Sequence, residues 1–176
     1  MVSQNLPSMY AKNRAVLLAY DQSLAHALPP EPLHESFEFA LERTRCVHHT
    51  IRVMTEPPYY LYSAYDPMRE VQALLDTYTA HTVSRIVFLG LGLGYHVKEC
   101  KVRYGAQAPC FVLVEPNISF LRFLCLYTDL SYLSELSPAC GIFGKSVGDT
   151  YRILLSNDAA PAEDDSVRRE SLVVAA

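Results

Sequence analysis

Apolar residues at Leu17, Tyr20, Leu24 and Leu28 recur at the spacing of one helical face, so residues 14–28 read as an amphipathic helix ended by Pro29-Pro30. The pattern then changes period. Phe37, Phe39 and Leu41 alternate, Ile51 and Val53 alternate again, and a short aromatic run, Tyr59 to Tyr62, follows Pro57-Pro58, which predicts a small antiparallel meander over 36–63. Asp66-Pro67 supplies an N-cap and a first-turn proline for a helix carrying Met68, Val71, Leu74, Leu75 and Tyr78 on one side and running to about Ala80.

From residue 85 strand and helix patterns alternate. Arg85 to Leu89 is a β-rich apolar run that opens into Gly90-Leu91-Gly92-Leu93-Gly94, and Tyr95 to Tyr104 reads as a helix closed by Gly105. A second strand, Cys110 to Val114, ends at Glu115, with Asn117 capping a helix that bears Phe120, Leu121, Leu124 and Tyr127. A third unit pairs Cys140 to Phe143 with a helix over 147–155. Three consecutive βα units imply a parallel sheet, and the whole reads as α/β: an N-terminal helix and antiparallel meander (1–84), a partial Rossmann-like region (85–155) and an acidic, disordered tail (156–176). On this reading the strand 85–89 keeps one edge open for a strand that the chain does not supply, and association follows unless the meander covers that edge.

Composition agrees with one folded core: 176 residues, half of them apolar, 19% charged and 11% aromatic. All seven glycines lie at position 90 or later, while seven of the eleven prolines precede it, so the punctuation changes where the strand-helix alternation begins. The net charge of −4 is concentrated at the end, where Asp158, Glu163, Asp164, Asp165 and Glu170 outweigh Arg168 and Arg169. The nearly neutral body lacks the clustered Lys and Arg of a nucleic-acid binder, and no run is long and apolar enough for a membrane span. The first twenty residues carry no apolar signal core, which places the expected location in the cytoplasm. Five scattered cysteines form no Cys-x-x-Cys pair, and the six histidines show no ligand spacing, since His34-Glu35 is followed by Glu38 where a zincin motif needs its second histidine; no metal is expected.

The candidate chemistry lies in the glycine run. Glycines after a strand let the backbone turn sharply and approach a ligand, and the helix that follows offers free N–H groups and a positive dipole end. Glu115, 21 residues beyond Gly94 at the end of the next strand, stands where a carboxylate accepts hydrogen bonds from a ribose. Gly90, Gly92, Gly94 and Glu115 are therefore the expected binding residues for a nucleotide-like ligand; no catalytic residue is assigned. Tyr95 occupies the third glycine position of a dinucleotide fingerprint, and Phe88 stands where methyltransferase loops carry an acid, so neither NAD nor S-adenosylmethionine is singled out. A purely structural glycine turn is the competing reading. Gly144-Lys145-Ser146 lacks the upstream glycine of a P-loop, and His96 reads as a surface or capping histidine.

Three stretches in order, Tyr60-Leu61-Tyr62-Ser63-Ala64-Tyr65-Asp66-Pro67-Met68-Arg69-Glu70, Phe88-Leu89-Gly90-Leu91-Gly92-Leu93-Gly94-Tyr95-His96 and Val114-Glu115-Pro116-Asn117, resemble the motility accessory factor (Maf) glycosyltransferases. The glycine stretch is also similar to the wider group named for an archaeal 6-hydroxymethylpterin diphosphokinase, the MptE-like proteins. The resemblance implies transfer of a nonulosonic acid from a CMP-linked donor onto flagellin, and it adds Ser63, Asp66 and Glu70 as candidate ligand-facing groups. Members of that family continue into a larger transferase region, so the chain is expected to be truncated, or to work with a polypeptide that carries the missing part. A pterin diphosphokinase using ATP and a non-catalytic interaction module are the alternatives.

Overall fold

The computed structural model describes residues 6–33, 35–77, 85–105, 109–136, 139–158 and 171–175. The N-terminal helix α1 spans Leu6–Tyr20, earlier than its apolar spacing predicts, and stops at Asp21. The Asp21 side chain accepts the Ser23 amide at 2.9 Å and opens a 3-10 turn, Gln22–Ala25, so the periodic face continues to Leu28 through a change of helix type. Leu17, Leu24 and Leu28 are all buried.

The meander is present as three antiparallel strands, β1 (Phe39–Arg43), β2 (His49–Val53) and β3 (Tyr59–Tyr60), in the order β1-β2-β3. It packs on the Rossmann-like half through Phe39, whose ring lies 4.8 Å from Phe120 and 5.7 Å from Phe123. Helix α2, Pro67–Thr77, begins as expected with the Asp66 carboxylate accepting the Arg69 amide at 3.2 Å; its expected extension to Ala80 lies outside the described residues.

The second half is built from β4 (Arg85–Leu89), α3 (Tyr95–Tyr104), β5 (Cys110–Glu115), α4 (Ile118–Tyr127), β6 (Ala139–Phe143) and α5 (Val147–Asp158). A fourth parallel strand, β7 (Ser171–Ala175), pairs along the whole of β4, from Arg85 opposite Ser171 to Leu89 opposite Ala175. The sheet order is β6-β5-β4-β7. This corrects two expectations: the free edge of β4 is filled from within the chain, and the segment expected to be a disordered tail holds the last three residues of α5 and a strand. The apolar run Leu172-Val173-Val174, two of its three residues β-branched, meets an apolar strand edge whose N–H and C=O groups need partners.

The two faces of the sheet are covered differently. Ile86, Phe88, Phe111 and Leu113 join the core that contains Val97 and Cys100 of α3 and Phe120 and Leu124 of α4, whereas Val87, Val112, Val114 and Ile142 pack against Ile153 and Leu154 of α5. The chain thus lays α3 and α4 on one face, then returns past β4 with α5 on the other, which is doubly wound topology with its switch point between β4 and β7. The larger core ignores the boundary near residue 85, since Tyr10, Leu17, Ile51, Tyr62 and Val71 belong to it as well. Asn13, fully buried in α1, donates to the carbonyls of Cys125 (2.9 Å) and Thr128 (2.6 Å) and accepts the Leu130 amide (3.0 Å), satisfying the end of α4. No helix among the described residues is long and apolar enough to cross a membrane.

Candidate functional site

The turn after β4 needs glycine for a reason visible in its dihedrals. Gly90, Gly92 and Gly94 have φ of +92°, +51° and +72°, the left-handed region that other residues adopt only with strain. Gly90 donates its amide to the Val114 carbonyl at 2.8 Å, Gly94 donates to Leu91 at 3.0 Å, and the chain enters α3. Space is as decisive as φ. A Cβ on Gly92 would collide with the Tyr62 hydroxyl, and one on Gly94 with the phenol of Tyr132.

Tyr62 is therefore the partner of the glycine turn. Its hydroxyl accepts the Leu93 amide at 3.1 Å, and burial pushes the phenol well above its ordinary pKa, so it stays protonated. The ring meets Tyr95 edge-on at 5.2 Å and lies 5.9 Å from His96. Tyr95, the first residue of α3, bonds both backbone groups of His49: its hydroxyl accepts from the amide and donates to the carbonyl, each at 3.0 Å. The Tyr-Ser-x-Tyr-Asp-Pro stretch and the glycine stretch, some thirty residues apart in sequence, are thus one packed unit.

Glu115 ends β5 at the same end of the sheet as the glycine turn, and it is buried. One carboxylate oxygen accepts the Leu91 amide at 3.1 Å and the other the Asn117 amide at 3.0 Å. Burial raises its pKa; the two backbone donors oppose that rise without cancelling it. An ionised carboxylate offers about four lone-pair sites, so each oxygen keeps capacity for a further donor. Asn117 also caps α4, accepting the Phe120 amide at 3.1 Å, as its position predicts.

Gly90, Gly92 and Glu115 line one crevice of about 180 Å³ together with Asn117, and the meander forms its other wall through Phe39, Val53, Tyr59 and Leu61. This volume is below the ~300–1,000 Å³ of sites that enclose a whole drug-sized ligand; it suits a sugar or a single ring with the rest of the molecule outside. Gly94 is placed elsewhere, at the entry to α3 against Tyr132. Ser63, Asp66 and Glu70 turn onto nearby backbone: the Ser63 hydroxyl accepts the amides of Tyr65 and Asp66, Glu70 accepts the Ser63 amide, and Asp66 caps α2. Ser146 caps α5 by accepting the Asp149 amide at 3.1 Å, which accounts for the Gly144-Lys145-Ser146 sequence without a phosphate.

His96 departs from its reading as a surface histidine. It is buried, its Nδ1 has no hydrogen-bond partner among the described residues, and desolvation lowers its pKa. Sequence reasoning missed Tyr62, Tyr95 and the aromatic wall of the crevice. Their only signal is the density of tyrosines at 59–65, which reads as strand until the glycine turn is placed beside it. The fold and this crevice define a Rossmann-like α/β protein with a pocket at the carboxyl edge of its parallel sheet. Family models, curated proteins and solved structures all give no match to the chain.

Proposed function

We propose that the chain is the N-terminal and Rossmann-like portion of a Maf-type glycosyltransferase, and that its crevice holds the ribose of a nucleotide-activated nonulosonic acid used in flagellin glycosylation, with the rest of the donor outside. One observation carries this reading: each of the three stretches that resemble that family contributes to the lining of the crevice, the first through Leu61, the second through Gly90 and Gly92, and the third through Glu115 and Asn117. The position also fits, because ligands of open α/β sheets bind outside the carboxyl ends of the strands, here those of β4 and β5. Glu115 would accept ribose hydroxyls through its remaining lone pairs, while Phe39, Tyr59 and Phe120 offer apolar surface to a base.

The pterin diphosphokinase reading asks for carboxylates that gather magnesium around a triphosphate, and among the described residues Glu115 is the one carboxylate lining this crevice. A specific observation favours the non-catalytic module as the second reading: the amides of Leu91 and Leu93, which a phosphate would seek, are already bonded to Glu115 and Tyr62. Calorimetry with CMP, ATP and S-adenosylmethionine separates the three. Heat with CMP alone, lost in Glu115→Ala, supports the glycosyltransferase reading; heat with ATP that requires magnesium supports the kinase; no heat with any of them leaves the interaction module.

A further inference from the structure

The loop between β1 and β2, Thr44-Arg45-Cys46-Val47-His48, is closed on itself. The Thr44 amide and hydroxyl both donate to the His48 carbonyl, at 3.3 and 2.8 Å, and the Cys46 amide donates to the Thr44 hydroxyl at 3.3 Å. Val47 is left in solvent, whereas Cys46 and His48 are half-buried, with the cysteine sulfur 3.4 Å from His48 Nδ1. A second segment is held against this loop. Arg45 donates its amide to the Ala64 carbonyl at 3.2 Å and lays its guanidinium 4.4 Å over the Tyr65 ring, which delivers Asp66. One donor atom from each of Cys46, His48 and Asp66 then lies within 4.8 Å of the other two.

Sulfur, imidazole nitrogen and carboxylate oxygen are the donors of zinc sites, and three protein donors leave the fourth tetrahedral position to water. With bonds of about 2.3 Å to sulfur and about 2.0 Å to nitrogen, two ligands of one tetrahedral zinc lie roughly 3.5 Å apart. The sulfur-to-Nδ1 distance of 3.4 Å meets that requirement before any ion arrives. The Asp66 carboxylate is oriented by the Arg69 amide on Oδ1, and the His48 ring by an edge-on contact with Tyr95 at 5.6 Å. We propose that Cys46, His48 and Asp66 bind one divalent cation of the zinc class, which fastens the β1–β2 loop to the segment preceding α2. The site is independent of the nucleotide reading. It lies one residue from His49, whose backbone is held by Tyr95 at the start of α3, so the ion braces the meander against the glycine turn.

The test uses the full chain and Zn²⁺ or Co²⁺ alone, with no nucleotide present. One Co²⁺ binds per chain with tetrahedral d–d absorption and a thiolate charge-transfer band, and Zn²⁺ displaces it and raises Tm. Cys46→Ser abolishes the charge-transfer band and weakens Zn²⁺ binding more than about tenfold. Asp66→Asn keeps an acceptor for the Arg69 amide, so it weakens Zn²⁺ binding without lowering the Tm of the metal-free chain. Absence of metal binding to the full chain overturns the proposal, as does a charge-transfer band or affinity that survives Cys46→Ser.

Discussion

The hydroxyl of Tyr62 sits 3.1 Å from the amide of Leu93, in the place where any side chain at residue 92 would have to go. Gly92 is therefore required first by the protein's own tyrosine. Two consequences can be measured. Gly92→Ala combines left-handed strain with a collision against a buried ring and lowers stability by about 2–5 kcal/mol. Tyr62→Phe keeps the ring but strands a buried amide, lowering stability by about 1–3 kcal/mol. Chemical denaturation of both variants checks the order; a Gly92→Ala chain as stable as the wild type would show that the turn can move away from Tyr62.

Glu115 and His96 make opposite contributions as pH falls. The native state holds His96 below its usual 6.5, so the unfolded chain takes up a proton there that the native chain refuses, and stability declines as pH drops through that value. Glu115 is raised above 4.5, so the native chain protonates first and gains stability as pH falls toward that value. The Tm of His96→Gln relative to the wild type should thus rise below pH 6.5. Glu115→Gln lacks one backbone acceptor, costing about 1–3 kcal/mol at neutral pH, and its deficit should widen on acidification. Thermal melts between about pH 4.5 and 7 resolve both slopes; a Glu115→Gln deficit that narrows in acid contradicts the assignment.

Asn13 joins elements more than a hundred residues apart. Asn13→Ala leaves the Leu130 amide and the carbonyls at the end of α4 without that partner in a buried setting, which lowers stability by about 2–4 kcal/mol. Far-ultraviolet circular dichroism and tyrosine fluorescence should follow one transition in both the wild type and the variant, because a single core crosses residue 85. Separate melting of the N-terminal region would contradict this.

What was legible in the sequence was whatever depends on neighbours along the chain. Asn117 as a cap, Asp66 before Pro67, the alternation at Ile51 and Val53 and the three strand-helix units are all local, and the structure has each. Asp21 was hidden because the apolar spacing from Leu17 to Leu28 runs through a 3-10 turn without losing its face. Strand β7 was hidden because three apolar residues after an acidic stretch carry no period of their own, and the edge of β4 supplies the reason for them to extend. The same holds for the crevice. Gly90, Gly92 and Glu115 were readable as a motif, but the packing of Tyr62 on Gly92 depends on a contact between residues thirty positions apart, and the approach of Asp66 to Cys46 on one between residues twenty apart.

Strand β4 pairs with β5 on one side and β7 on the other, and these partners are made at very different times. Residues 110–115 follow β4 closely, whereas residues 171–175 leave the ribosome several seconds later at roughly 5–20 residues per second. Throughout that interval one edge of the central strand is an open template, and in a crowded polysome the first matching strand to arrive can belong to another chain. A reciprocal exchange of β7 between two copies would satisfy every sheet hydrogen bond seen in one copy, so the domain-swapped dimer is the characteristic misassembly of this topology, favoured by slow synthesis and high expression.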